Sequence, residues 1–74
     1  MTVDEVRSDI AEQLYLTPEE VSASEDLFAD GLDSVRLLGL VERWRDRGAE
    51  ITFADLAERP TLAAWWTLLR RAHV

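Results

Sequence analysis

Ser34-Val35-Arg36-Leu37-Leu38-Gly39-Leu40-Val41-Glu42-Arg43-Trp44 holds more apolar residues than one helix face can use. A helix turns about 100° per residue. Leu37, Leu40, Val41 and Trp44 stand at i, i+3, i+4 and i+7 and complete one buried stripe. Val35 and Leu38 fall outside that stripe and flank Ser34, which stands at the helix start. Two roles are open to them: burial under the preceding loop, or a partly exposed apolar surface beside a serine.

The helix is expected to begin at Asp33 or Ser34, run to about Arg47 and stop at Gly48. Serine at a helix start is ordinarily a cap. Here Asp33 can do that work and leave the Ser34 hydroxyl free. A free hydroxyl among the unpaired N–H groups and positive dipole end of a helix suits an attached phosphodiester.

Upstream, Thr2 and Glu5 have the spacing of a capping box, and Val3, Val6, Ile10 and Leu14 share one face of a first helix. Leu16 to Asp33 is a long connection, a length that often carries function. Within it Thr17-Pro18-Glu19-Glu20 is expected to form a short helical turn. Val21, Leu27 and Phe28 are expected to pin the connection to the core, and Asp30-Gly31 to make a turn with Gly31 at positive φ. Downstream, Ile51 to Ala57 is expected to be a short helix with a Thr52–Asp55 capping pair. Pro60-Thr61 opens a last helix whose apolar stripe is Leu62, Trp65, Trp66, Leu69 and Ala72. No alternating stretch argues for a strand, so the fold class is all-α.

The chain has 74 residues, enough for a single domain over 1–74, and no cysteine. Disulfides and thiolate metal sites are excluded, so apolar packing must hold the fold. Any thioester on this chain needs sulfur from an attached group. The net charge is −7. Residues 1–34 carry ten Asp and Glu against the single base Arg7, whereas residues 35–74 carry five acids and seven arginines. Such acidity disfavours nucleic acid and anionic membranes and steers the domain toward basic protein surfaces. The first residues are too polar for a signal peptide, and no apolar run approaches the ~20 residues of a membrane span. A cytoplasmic location is the expectation.

Catalytic inventory is thin. His73 is the only histidine and lies next to the C-terminus. Ser34 has no nearby histidine to act as its base. Asp26, Asp30 and Asp33 do not continue into a calcium loop, so no metal site is expected. Trp65-Trp66 lies on an apolar stripe and is assigned to the core rather than to a ligand platform.

Gly31-Leu32-Asp33-Ser34-Val35-Arg36-Leu37-Leu38, preceded by Leu27-Phe28, closely resembles the carrier domains of nonribosomal peptide synthetases, and most of all the aryl carriers of the isochorismatase/aryl-carrier siderophore proteins. Trp44-Arg45, Ile51-Thr52-Phe53, Leu56-Ala57 and Pro60-Thr61-Leu62-Ala63-Ala64-Trp65-Trp66 look like that subgroup too. The resemblance covers about Leu27 to Leu69. It implies an acyl-carrier-like four-helix bundle with a long loop between helices 1 and 2 and a short third helix. It also implies covalent 4'-phosphopantetheine on Ser34, beside the motif residue Asp33, placed there from coenzyme A by a magnesium-dependent phosphopantetheinyl transferase. The partners it implies are that transferase, an aryl-acid adenylating ligase, and a condensation or acyltransfer domain. A partner surface of Val35, Leu38, Phe53 and Ala57 follows by position, with core packing the other role open to Phe53.

The chain departs from its look-alikes in two respects. No isochorismatase domain precedes the carrier, so a free-standing monomeric carrier or a piece of a longer protein is expected. Peptidyl carriers usually place a glycine-rich pair and a histidine before the serine; Leu32-Asp33 here favours aryl or acyl use. Fatty-acid carriers commonly have Leu after the serine, where this chain has Val35. The alternatives are a peptidyl or simple acyl carrier and, from another class, a helical interaction domain without a prosthetic group. No enzymatic activity is expected.

Overall fold

The computed structural model describes residues 1–71. Four α-helices and no strand occur among them: α1 (Val3–Leu14), α2 (Ser34–Asp46), α3 (Phe53–Glu58) and α4 (Leu62–Arg71). A 3-10 turn at Pro18–Glu20 interrupts the α1–α2 connection. This is the all-α, four-helix arrangement with a long first loop and a short third helix.

Each start has a local cause. Thr2 accepts from the Glu5 N–H (3.2 Å). The expected reciprocal bond is replaced: Glu5 takes the Thr2 hydroxyl (3.2 Å), not its backbone N–H. Val3 is only half-buried, so the face that α1 turns inward is Val6, Ile10, Ala11 and Leu14. Glu20 accepts from the backbone N–H and hydroxyl of Thr17, both at 3.0 Å, and these bonds hold its carboxyl below its ordinary pKa. Thr52 and Asp55 exchange both bonds of a capping box (3.0 and 3.1 Å). With Thr52 as the cap, α3 starts at Phe53 and ends at Glu58, later than the expected start at Ile51.

The ends differ. After α2, Gly48 takes φ 97°, Gly48 N–H donates to Arg45 O (3.0 Å) and Ala49 N–H to Trp44 O (3.0 Å), a Schellman closure. After α1, the same 6→1 bond runs from Leu16 N–H to Ala11 O (3.0 Å), but the left-handed position is held by Tyr15 (φ 57°, ψ 38°). A non-glycine residue there costs roughly 1 kcal/mol. The Tyr15 ring faces the Arg36 guanidinium at 5.1 Å, which returns roughly 0.5–1 kcal/mol at an exposed site.

The core joins all four helices. Trp44 and Trp65 meet edge to face, centroids 5.9 Å apart at 71°, both fully buried. Their indole N–H groups are satisfied by different helices: Trp44 Nε1 donates to Asp9 Oδ2 (2.9 Å) and Trp65 Nε1 to Leu56 O (2.8 Å). Asp9 is the buried acid of α1. Its Oδ1 receives Arg43 Nη1 (3.1 Å), and Arg47 Nη1 stands 3.8 Å from Oδ2. Arg43 also donates to Glu12 (3.3 Å), and Arg47 to Glu5 (3.3 Å). The hydrogen bond to Glu12, with the charges of Asp9 and Glu12, holds the Arg43 guanidinium above its ordinary pKa. Trp66 is half-buried, packed on the rim of the core rather than within it, and Ala72 lies outside the described residues.

The long connection is tied down at several points. Val21 and Leu27 are buried as expected, together with Leu32. Arg7 donates to Val21 O, Leu27 N–H to Pro60 O (2.8 Å) and Ala63 N–H to Ala23 O (3.0 Å). Phe28 does not pin the loop. Its N–H is taken by Asp26 Oδ1 (2.9 Å) in a tight turn that leaves its ring exposed, while Leu27 and Leu32 occupy the core on either side.

Candidate functional site

The connection delivers the chain to the start of α2 through Gly31, at φ 112°, a conformation that favours glycine. Asp33 is extended (φ −127°, ψ 175°) and caps the helix, its Oδ1 accepting from Arg36 N–H (2.9 Å). The first intrahelical bond runs from Leu37 N–H to Asp33 O (2.9 Å). Ser34 is therefore the first helical residue. It is exposed, and the cap bond is made by its neighbour.

This arrangement can hold a phosphodiester. An anion on Ser34 Oγ would sit at the positive end of a 13-residue helix with no acid in its first turn. The one adjacent acid, Asp33, faces Arg36, whose Nε lies 3.9 Å from Asp33 Oδ2.

Several apolar side chains of α2 and α3 are exposed or only half-buried. Val35 is 80% exposed and Leu38 47% exposed. Phe53 opens α3, which packs against α2, and it is 37% exposed. Ala57 is half-buried and leans on the core. Phe28, exposed just ahead of the motif, joins these residues as one that the sequence assigned to the interior. Its signal was its place in a tight turn between two better-buried leucines.

No group of three or more potential metal ligands occurs among the described residues. His73 lies outside them. A groove between α3 and α4, lined by Asp55, Glu58, Arg59, Ala64, Thr67 and Leu68, contains neither Ser34 nor its apolar neighbours.

Residues 4–69 match the family described as phosphopantetheine attachment site. The chain belongs to this family. It is a carrier domain, whose prosthetic group is covalently attached 4'-phosphopantetheine, and not a catalyst in itself. It is 54% identical over 68 residues to an isochorismatase of Bacillus subtilis, covering 92% of this chain and 22% of that protein. It is 46% identical over 69 residues to the acyl carrier protein ScoB of Streptomyces coeruleorubidus, covering 93% of this chain and 81% of that one. It is 42% identical over 64 residues to the phenyloxazoline synthase MbtB of a Mycobacterium strain, covering 86% of this chain and 6% of the synthase. The chain thus spans less than a quarter of the isochorismatase and a small part of the synthase, but most of ScoB. No helix among the described residues is long and apolar enough to cross a membrane.

Proposed function

We propose that Ser34 is the attachment residue and that the 1–74 unit carries an aromatic acyl group as a thioester in nonribosomal biosynthesis. The observation that carries the first part is the division of labour at the start of α2: Asp33 caps, and Ser34 stands exposed at the positive helix end. In the modification, Ser34 Oγ attacks the β-phosphorus of coenzyme A. The Oγ–P bond forms as the pyrophosphate P–O bond breaks, adenosine 3',5'-diphosphate leaves, and the hydroxyl proton passes to a base of the transferase. The group, when bound, supplies the terminal thiol that a chain without cysteine lacks. First-turn amides and the helix dipole then favour the phosphodiester by roughly 0.3–1 kcal/mol.

The aromatic cargo is supported by the phenyl group in the name of one relative, a phenyloxazoline synthase. A simple acyl cargo is the second reading, favoured by the name of ScoB, most of whose length this chain covers. The proposed partners are a phosphopantetheinyl transferase, an aryl-acid adenylating ligase and a condensation or acyltransfer domain. Val35, Leu38, Phe53 and Ala57 would give them a partly apolar surface to grip. The domain would act as a monomer in the cytoplasm.

The test is intact-mass measurement after incubation with coenzyme A, magnesium and a broad-specificity transferase. A gain of one phosphopantetheinyl group in the wild type and none in Ser34→Ala is expected. No gain on the folded wild-type chain would sink the assignment. Loading of the modified protein by an aryl-acid ligase, against loading by a fatty-acyl ligase, separates the two cargoes.

A further inference from the structure

Several contacts converge on the segment just ahead of Ser34, and attachment alone does not call for them. Tyr15 ends α1 in the left-handed conformation, yet its ring is 83% exposed. The ring lies 5.1 Å from the Arg36 guanidinium. Arg36 reaches back past Ser34: Nη1 donates to Gly31 O (3.4 Å), and Nε stands 3.9 Å from Asp33 Oδ2. The backbone N–H of the same arginine is capped by Asp33 Oδ1 (2.9 Å). One side chain thus holds the turn glycine and the cap residue, and Tyr15 fixes that side chain to the end of another helix.

We infer that Arg36, seated on the Tyr15 ring, is a positioning residue that fixes the Gly31–Ser34 backbone and so sets how Ser34 Oγ is offered to the transferase; this rests on Ser34 being the attachment residue. Each contact is weak singly, being partly exposed to water. Their convergence on one planar guanidinium makes them act together, and a lysine ammonium cannot reproduce that fork. Displacement at phosphorus needs the attacking oxygen in a narrow range of positions, and small misplacements lower the rate steeply. A fixed loop therefore favours turnover more than binding.

The experiment is steady-state phosphopantetheinylation of the full chain with coenzyme A, magnesium and a broad-specificity transferase. The variants are Arg36→Met, Arg36→Lys, Tyr15→Phe, Tyr15→Ala and the Tyr15→Ala/Arg36→Met double. Arg59→Met, the loss of one exposed charge after α3, serves as the control. Arg36→Met is expected to lower kcat roughly tenfold with KM changed less than about twofold. Arg36→Lys should restore only part of the loss, and Tyr15→Phe nearly all activity. The double variant should be no slower than Arg36→Met alone, because the two residues act as one unit. Amide hydrogen exchange supplies a readout independent of the transferase: protection of the backbone N–H at position 36, relative to its intrinsic rate, should fall in Arg36→Met and in Tyr15→Ala. A rise in KM at constant kcat would overturn the inference in favour of a docking charge, and additive losses or unchanged exchange would also overturn it. If the wild type is modified at Ser34 and Arg36→Met is equally fast, the positioning role alone falls. If Ser34→Ala still gains the group, the attachment assignment falls with it.

Discussion

The two ends of α2 are built differently. From Leu40 onward the helix is fastened: Leu40, Val41 and Trp44 are buried, and Arg43 and Arg47 grip Glu5, Asp9 and Glu12 of α1. From Ser34 to Leu38 it is open, with Leu37 alone buried. The fastened end bears the cost of keeping the open end exposed. A helix that offers Val35 and Leu38 to water gains little from its first turns, so its stability must be lodged further along.

The contrast can be broken hardest at the fastened end. Trp44→Ala is expected to lose about 3–5 kcal/mol. A domain of this length holds roughly 4–11 kcal/mol in all, so little folded protein should survive moderate urea. Asp9→Ala removes less volume but orphans a buried indole N–H and takes one of two carboxylate partners from each of Arg43 and Arg47. It should lose about 2–3 kcal/mol in urea denaturation, with Ser34 still open to modification in the folded fraction. At the open end, Leu38→Arg should leave stability within about 0.5 kcal/mol of wild type and phosphopantetheinylation intact. Loading or onward transfer by the partner enzymes should fall; if both run at the wild-type rate, Leu38 does not belong to the partner surface.

The open end was the more legible in sequence. Leu37, Leu40, Val41 and Trp44 fill one helical stripe, which forces Val35 and Leu38 outside it, and the structure places them there. Gly31 and Gly48 take the positive φ that their positions call for. Asp33 takes the cap by virtue of lying one residue before the helix. The fastened end was hidden, because its contacts join residues far apart in sequence. Asp9 reads as a solvent-facing acid until Trp44 and Arg43, more than thirty residues away, are folded against it. The available signal was an acid adjoining Val6 and Ile10 on α1, together with a tryptophan whose N–H needs a buried acceptor. Phe28 failed for the opposite reason. Hydrophobicity assigns it to the interior, but in the turn from Asp26 to Leu32 it is Leu27 and Leu32 that hold the inner positions.

The edge-to-face pair of Trp44 and Trp65 also makes the domain its own optical gauge. One indole is hydrogen-bonded to α1 and the other to the last turn of α3, so their emission samples the packing of every helix at once. Shielded from water in the fold, both rings shift their emission to the red on unfolding. Half-buried Trp66 adds a smaller, wetter contribution to the same emission, so a change confined to the buried pair stands out against it with no dye attached.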